Sequence, residues 1–329
     1  MRVMVTGGAG YIGSVVVEAL KHDGHTVVVY DNLSTGHARA VVDGATLIQA
    51  DLRDGQRLRR ALRTAEIDAV VHMAADSRVG ESMLRPDIYY ENNVVSALTL
   101  LGAMAECKVE RLVFSSTAAV YGAPEIQPIE ETTRADPQNP YGATKLAIER
   151  ALPWYDQAFG LRAACLRYFN AAGASARCGE AHDPETHLIP IVLQTAAGLR
   201  PAVTICGDDY PTADGTCVRD YIHVVDLARA HVLALAGLDS TGSCTFNLGC
   251  GGAGHSVREV LDVARAVTGR AIPEQIGPRR PGDPPVLIAA TGKIQQTLGW
   301  RPTHGSLAEI VDSAWSWMQR HPHGYRRVP

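Results

Sequence analysis

What the 329-residue sequence lacks narrows its function first. It has no basic run and a formal net charge of −4, so neither a nucleic acid nor a membrane surface is an expected partner. No apolar stretch approaches the roughly 20 residues that cross a bilayer. No CxxC pair occurs. The seven cysteines (Cys107, Cys165, Cys178, Cys206, Cys217, Cys244, Cys250) are odd in number and scattered, which predicts reduced thiols in a cytosol-like compartment. No metal is expected. The opening MRVMVTGG lacks the charged, apolar and cleavage-site succession of a signal peptide, and no repeat or low-complexity linker is visible. The expectation is a soluble, cytoplasmic protein. Hydrophobic residues at 46% and charged ones at 20% are ordinary for a globular chain, long enough for one large or two modest domains.

In the first half, short β-branched runs alternate with helical patterns. RVMVTG, HTVVVYDN, ATLIQADL, IDAVVHMAA, ERLVFSS and LRAACLRYFN read as strands, and YIGSVVVEALKHDG as an amphipathic helix. Strands separated by helices predict a parallel, doubly wound α/β sheet of the Rossmann type, with ligands outside the carboxyl ends of the strands. After about Gly173 the texture changes to a loop, GASARCGEAHDPETH, then to helices separated by short strands. Residues 1–172 are expected to form a dinucleotide-binding domain. Residues 173–329 are expected to form mainly a smaller α/β substrate domain, with about 222–249 returning to the first.

TGGAGYIG places Gly7, Gly10 and Gly13 where the first strand turns into the first helix. Glycines there permit a tight turn and let backbone N–H groups approach a pyrophosphate at a helix N-terminus. The spacing is GxxGxxG rather than GxGxxG, and a plain glycine-rich loop is the alternative. Asp31 ends the second strand, some 20 residues on, where a carboxylate accepts from a ribose diol and repels a 2′-phosphate. That favours NAD over NADP. Asp51, after the third strand, suits the adenine region or is a solvated strand-end carboxylate.

Two further stretches carry chemistry. FSSTAAVYG, residues 114 to 122, brings a strand into a cluster of hydroxyls around Thr117. PYGATKLAIER starts a helix at Pro140 and puts Tyr141 and Lys145 one turn apart on a shared face. Tyr-x-x-x-Lys alone is common on exposed helices. Beside a dinucleotide fold, a lysine ammonium and an oxidised nicotinamide would lower the phenol pKa from about 10. The phenolate could then take a proton from a sugar hydroxyl while the cofactor takes hydride from the same carbon.

With these residues the chain resembles the extended short-chain dehydrogenases/reductases and, among them, the UDP-glucose 4-epimerase (UDP-galactose 4-epimerase) family. GGAGYIGS, DNLSTG, HMAADSRVGES, YYENNV, FSSTAAVYG, NPYGATK, LRYFNAAGA, DYPTADGTCVRDYIHV, FNLG and PRRPGD occur in that family's order, over residues 1 to about 325. The DYPT segment is the most restricted of them. The resemblance implies that Tyr141 removes the sugar 4-OH proton while hydride passes from C4 to bound NAD, and that Thr117 hydrogen-bonds the 4-oxygen. Lys145 would hold the cofactor ribose. The 4-keto sugar would then turn over and take the hydride back on its other face.

The resemblance also implies cofactor contacts from Gly7, Gly10, Tyr11, Ile12, Gly13, Asp31, Asn32, Asp51, Leu52, Ala74, Ala75, Asn92, Ser115 and Tyr168. It implies substrate contacts from Asn170, His187, Leu188, Cys206, Arg219, Arg280 and Asp283, in a homodimer. Planar arginine donors suit a pyrophosphate, although a lone arginine more often forms a surface ion pair.

The chain departs from the family's pattern at several positions. Ser77 stands where some members have a lysine for the cofactor phosphates. His187 replaces an asparagine, so its charge would make binding pH-dependent near 6.5, unless it only starts a helix. Cys206 replaces an aromatic that stacks on uracil. Leu287 occupies a position that gates 2-acetamido sugars. Acetylated, pentose and uronic acid substrates therefore stay open. A 4,6-dehydratase shares the fold, NAD and Tyr-x-x-x-Lys, but needs an acid and a base directly after the threonine. Ala118 and Ala119 stand there. A non-catalytic NAD-binding regulator would be expected to have lost the tyrosine, the lysine or the hydroxyl, and all three are present.

Overall fold

The structure is a computed structural model, describing residues 1–280 and 283–326. Its centre is a seven-stranded parallel sheet. The first six strands are β1 (Arg2–Thr6), β2 (Thr26–Asp31), β3 (Thr46–Gln49), β4 (Ala69–His72), β5 (Arg111–Thr117) and β6 (Arg162–Tyr168). Their spatial order is β3-β2-β1-β4-β5-β6, and Cys244–Leu248 pairs in parallel with β6 as the seventh. The expected doubly wound fold is therefore observed. No described helix is long and apolar enough to cross a membrane.

Period-two alternation explains how one sheet serves two cores. Val3 and Val5 of β1 and Val113 of β5 pack on one face, against the helices Tyr11–His22 and Val224–Thr241. Met4, Leu112 and Phe114 of the same strands pack on the other, with the helices Gly55–Thr64, Ser96–Cys107 and Pro140–Phe159. Both faces are covered, so the strands read as near-continuous apolar runs. Each fully buried Val or Leu contributes about 1.5–3 kcal/mol of transfer free energy.

The later part of the chain has its own apolar cluster. Val192 and Leu193 of the helix Leu188–Ala196, Val260 and Leu261 of the helix Val257–Thr268, and Ile310 and Val311 of the helix Leu307–Arg320 meet there. Ser256 with Glu259, and Ser306 with Glu309, close capping boxes that fix where the helices Val257–Thr268 and Leu307–Arg320 begin. Small sheets complete this part. Val203–Cys206 pairs with Glu274–Gly277, and Val218–Arg219 lies between His255–Ser256 and Val286–Leu287.

β1 sits between β2 and β4, where the strand order reverses direction. Such a switch opens a crevice at the carboxyl ends of the strands. Gly7, Asp31, Thr117 and Tyr168 stand at or just after the carboxyl ends of β1, β2, β5 and β6.

Candidate active site

The crevice begins with the glycine turn. Gly7 has φ +70°, and a Cβ there would come within 2.6 Å of the Ala74 nitrogen. The turn after β4, with its small residues Ala74 and Ala75, thus rests directly on the first glycine. A Cβ on Gly13 would overlap the carbonyl oxygen of Gly7. The helix Tyr11–His22 has no side-chain cap at Gly10, and its first helical hydrogen bond runs from Ser14 to Gly10. The N–H groups of Tyr11, Ile12 and Gly13 are left to face an anion. This bare, uncapped cradle fits a dinucleotide pyrophosphate.

Asp31 is buried beside it. One carboxylate oxygen accepts from Ala9 N at 3.0 Å and the other from Leu33 N at 2.8 Å. Each oxygen keeps a second lone-pair site, so the group is oriented while able to accept from a ribose diol. Asn32 donates to Asp51 at 3.2 Å, and Arg53 grips Asp51 through two bonds of 2.9 and 2.8 Å. The Arg53 hydrogen bond holds the Asp51 carboxyl well below the usual carboxylate range, against its partial burial. Leu52 is buried in the core.

Asn92 lies in a π-helical stretch, Tyr90–Val95, and donates to Asp76 at 2.6 Å. Such single wide turns recur at functional sites. Its neighbour Asn93, which the sequence reading passed over, is buried. Asn93 bonds both the N–H and the carbonyl of Asp76 and also Thr144 Oγ1, joining the turn after β4 to the helix that carries Tyr141. Ser77 is exposed.

At the carboxyl end of β5, Thr117 is buried and Ser115 hydrogen-bonds the hydroxyl of Tyr168 on β6. Asn139 caps the helix Pro140–Phe159 by accepting from Gly142 N at 2.8 Å. The first turn of that helix presents Tyr141, and Lys145 follows one turn later. Lys145 is 1% exposed, donates to the Ser115 carbonyl at 2.7 Å and lies 5.0 Å from the centre of the Phe114 ring. Burial lowers its pKa from 10.5 to about 7, and the Glu149 carboxylate works against that fall. Burial also raises the pKa of the Tyr141 phenol, while the Thr117 hydroxyl facing it pulls the other way. The sequence reading expected a lowered phenol. In the protein without its cofactor, desolvation outweighs the Thr117 hydrogen bond.

Ala118 and Ala119 open a 3₁₀ turn directly after Thr117. They bring no titratable group to this edge.

Behind Thr117 lies a polar network that the sequence reading missed. Glu149 accepts from the Ser116 hydroxyl and pairs with Arg167 Nε at 3.0 Å. Arg167 also donates to the Tyr121 hydroxyl at 2.8 Å, which donates onward to Asn247 at 2.7 Å. The only local signal was a glutamate one turn after Lys145.

The other candidate contacts come from the later chain. The strand Asn170–Ala172 pairs with Tyr221–His223, so Asn170 lies opposite Tyr221 and its N–H donates to the Asp220 carbonyl at 3.0 Å. Arg219 is buried and ion-paired with Asp283, and it lies opposite Leu287 in the small sheet. Leu287 in turn packs against the cluster of Val120, Tyr121, Ile129 and Leu146, which links this side to the helix Pro140–Phe159. Arg280 is exposed, and its carbonyl accepts from Asp283 N at 3.2 Å. Cys206, half-buried, ends a strand beside Gly277. Next to it, Arg279 lies over the Tyr210 ring at 4.2 Å. His187 precedes the helix that starts at Leu188, so it is a helix-start histidine, and it pairs with Glu185 at 2.9 Å. Burial disfavours the imidazolium, but Glu185 and Glu180 outweigh this and raise the His187 pKa.

The chain matches the model of the NAD dependent epimerase/dehydratase family over residues 3–249. It is 55% identical over 328 residues to the UDP-glucose 4-epimerase of Halalkalibacterium halodurans, covering 99% of this chain and 98% of that one. A crystal structure of a UDP-glucose 4-epimerase superposes with a TM-score of 0.96 at 50% identity, covering 99% of this chain and 100% of the other. The UDP-glucose 4-epimerase from Bifidobacterium longum, solved with NAD+ and UDP, superposes with a TM-score of 0.94 at 37% identity, covering 98% of this chain and 100% of that one.

Proposed function

This chain belongs to the NAD dependent epimerase/dehydratase family, and from that premise we infer that it is an NAD-dependent isomerase inverting C4 of a UDP-hexose. Its reaction is the interconversion of UDP-glucose and UDP-galactose. The observation that carries this reading is the meeting of Thr117, Tyr141 and Lys145 at the end of β5, with no acid or base at Ala118 or Ala119.

Bound NAD supplies a reversible two-electron acceptor at the sugar C4. The N–H groups of Tyr11, Ile12 and Gly13, with Gly7, Gly10 and the Ala74–Ala75 turn, would hold its pyrophosphate. Asp31 takes the adenosine ribose, with Asn32, Asp51 and Leu52 toward the adenine. Asn92, Ser115 and Tyr168 would serve its nicotinamide end. Tyr141 accepts the proton of the 4-hydroxyl and later returns one to the 4-oxygen, which Thr117 holds by hydrogen bond. Lys145 keeps positive charge near the phenol and binds the second ribose. Without a second acid and base, the 4-keto sugar has no route to losing water and is reduced again.

On the nucleotide side, Arg219, Asp283 and Arg280 grip the UDP diphosphate and ribose, assisted by Asn170, His187 and Leu188. Cys206 borders the uracil and offers it no aromatic platform. Leu287 leaves room in question for a 2-acetamido group, which makes a UDP-N-acetylhexosamine the second substrate to test. Exposed Val95, Leu98 and Trp154 lie on two adjacent helices and suit a second copy of the chain, giving a homodimer. Incubating the purified protein with UDP-glucose, UDP-galactose, their N-acetylated forms, UDP-pentoses and UDP-uronates, with product analysis, tests the reading. Absence of any C4 inversion would overturn it.

A further inference from the structure

Within eight residues, the loop after Gly173 presents Glu180, His182, Glu185 and His187, and one ligand atom from each lies within 4.8 Å of the others. The Glu185 side chain is only 2% exposed and that of Glu180 only 10%. Two carboxylates so close and so far out of water repel each other and need compensating positive charge. Backbone groups fix both: His182 N donates to Glu180 Oε1 at 2.8 Å, and Thr186 N and His187 N each donate to Glu185 Oε1 at 2.7 Å. The second oxygen of each carboxylate accepts from no described residue.

His182 adds an independent observation. Its Nδ1 is buried without a hydrogen-bond partner, although Glu180 Oε1 lies 2.7 Å away. The two atoms are close but lack the alignment of a hydrogen bond. An imidazole nitrogen this close to a carboxylate, within a group of four ligand-type side chains, is placed to share a cation with it.

We propose that Glu180, His182, Glu185 and His187 form a binding site for one divalent transition-metal cation of the Zn2+ class. Two imidazoles and two carboxylates are the borderline nitrogen and oxygen donors that Zn2+ takes four at a time, whereas Mg2+ and Ca2+ prefer oxygen alone. Tetrahedral bonds of about 2.1 Å place ligand atoms about 3.4 Å apart. The observed spread needs only a small rearrangement of a loop without regular secondary structure. With neutral imidazoles, a +2 ion balances the two carboxylates. The same loop meets the first helix and its approaches, because Tyr11 donates to Gly173 O at 2.6 Å and His37 Nε2 lies 3.2 Å from Ala181 O. The ion would therefore fasten this loop, and with it the start of the Leu188–Ala196 helix, against the dinucleotide half of the fold. The role is structural, and the site does not depend on the substrate reading above.

The test uses the full, untagged chain after chelator treatment, titrated with Zn2+ alone by calorimetry and with Co2+ by visible absorption. The expected result is one equivalent of Zn2+ bound, a higher Tm with Zn2+, and the d–d band of four-coordinate Co2+. Glu180→Gln and His182→Gln should each weaken Zn2+ binding at least tenfold, while the exposed His22→Gln should not. If Glu180→Gln fails to fold, His182→Gln carries the same test, because that ring is about a third exposed. Absence of stoichiometric binding to the wild type, or equal affinity in folded His182→Gln, would show the four residues to be two ion pairs and overturn the proposal.

Discussion

Gly142 packs so tightly against Ala119 that a Cβ at 142 would overlap the Ala119 carbonyl oxygen. The helix bearing Tyr141 is thereby drawn down onto the turn that follows Thr117. Gly142→Ala must push the two apart, which costs about 1–3 kcal/mol by analogy with overpacked cores. The expected outcome is a fall of several degrees in Tm and a larger fall in kcat than in substrate affinity. Thermal melts and steady-state kinetics check both.

Tyr141→Phe removes one oxygen and leaves the ring and the helix cap. We expect unchanged folding and retained NAD, with turnover lower by about 10²–10⁴, the usual contribution of a positioned proton acceptor. Cofactor content and single-turnover rates measure this. Near-normal turnover would remove Tyr141 from its assigned role.

Backbone-local features of this site were legible in the sequence. The glycine turn needs only a strand, a helix and their junction, and Tyr141 and Lys145 are linked by helical spacing alone. Asp31 follows from strand length. Features made by distant segments were not legible. Arg167 reaches Glu149 and Tyr121 because β6 lies beside β5, and Tyr121 reaches Asn247 across 126 residues. The π-helical stretch that turns Asn93 toward Asp76 and Thr144 leaves no mark in residue periodicity. The phenol pKa expected with a bound nicotinamide differs from that of the protein alone, where burial raises it, for a related reason. A motif displays charges, whereas burial depends on everything packed around them. EAHDPETH reads as loop in the sequence, because the spacing of its glutamates and histidines matches no common metal motif.

Lys145 makes the enzyme sensitive to pH. Its folded pKa is about 7 against 10.5 in the ordinary state. Between these values the unfolded chain holds a proton that the folded chain has lost, so stability attributable to this group rises with pH across that window. Activity that needs the ammonium moves the opposite way and declines as pH rises through about 7 in the free enzyme. Glu149→Gln removes the carboxylate that favours the ammonium. It should move the alkaline limb of kcat/KM to lower pH, and parallel pH profiles of the two proteins provide the comparison.

Arg219 holds its guanidinium in place through Asp283 and the Val218 carbonyl, at 2.8 Å for the latter. A planar donor fixed this way suits a diphosphate, and a lysine cannot reproduce its paired bonds. Arg219→Lys should raise KM for UDP-sugars about tenfold and Arg219→Ala further, with kcat less affected. Charge-assisted hydrogen bonds of about 1.5–3 kcal/mol set that scale. Equal losses in kcat and kcat/KM would instead place Arg219 with the reacting atoms.

Cys206 gives the last prediction, because it concerns a group that is missing. It stands half-buried at a strand end, paired with Gly277, close to the Arg279–Tyr210 stack. An aromatic ring stacked on a base is worth about 1–3 kcal/mol. With Cys206 bordering the uracil, Cys206→Phe should lower KM for UDP-sugars about five- to 150-fold while leaving kcat nearly unchanged. It should also increase discrimination in favour of UDP-glucose over its purine-nucleotide counterparts. An unchanged KM in a folded variant would mean that the base lies elsewhere and that Arg219 and Asp283 anchor only the diphosphate and ribose.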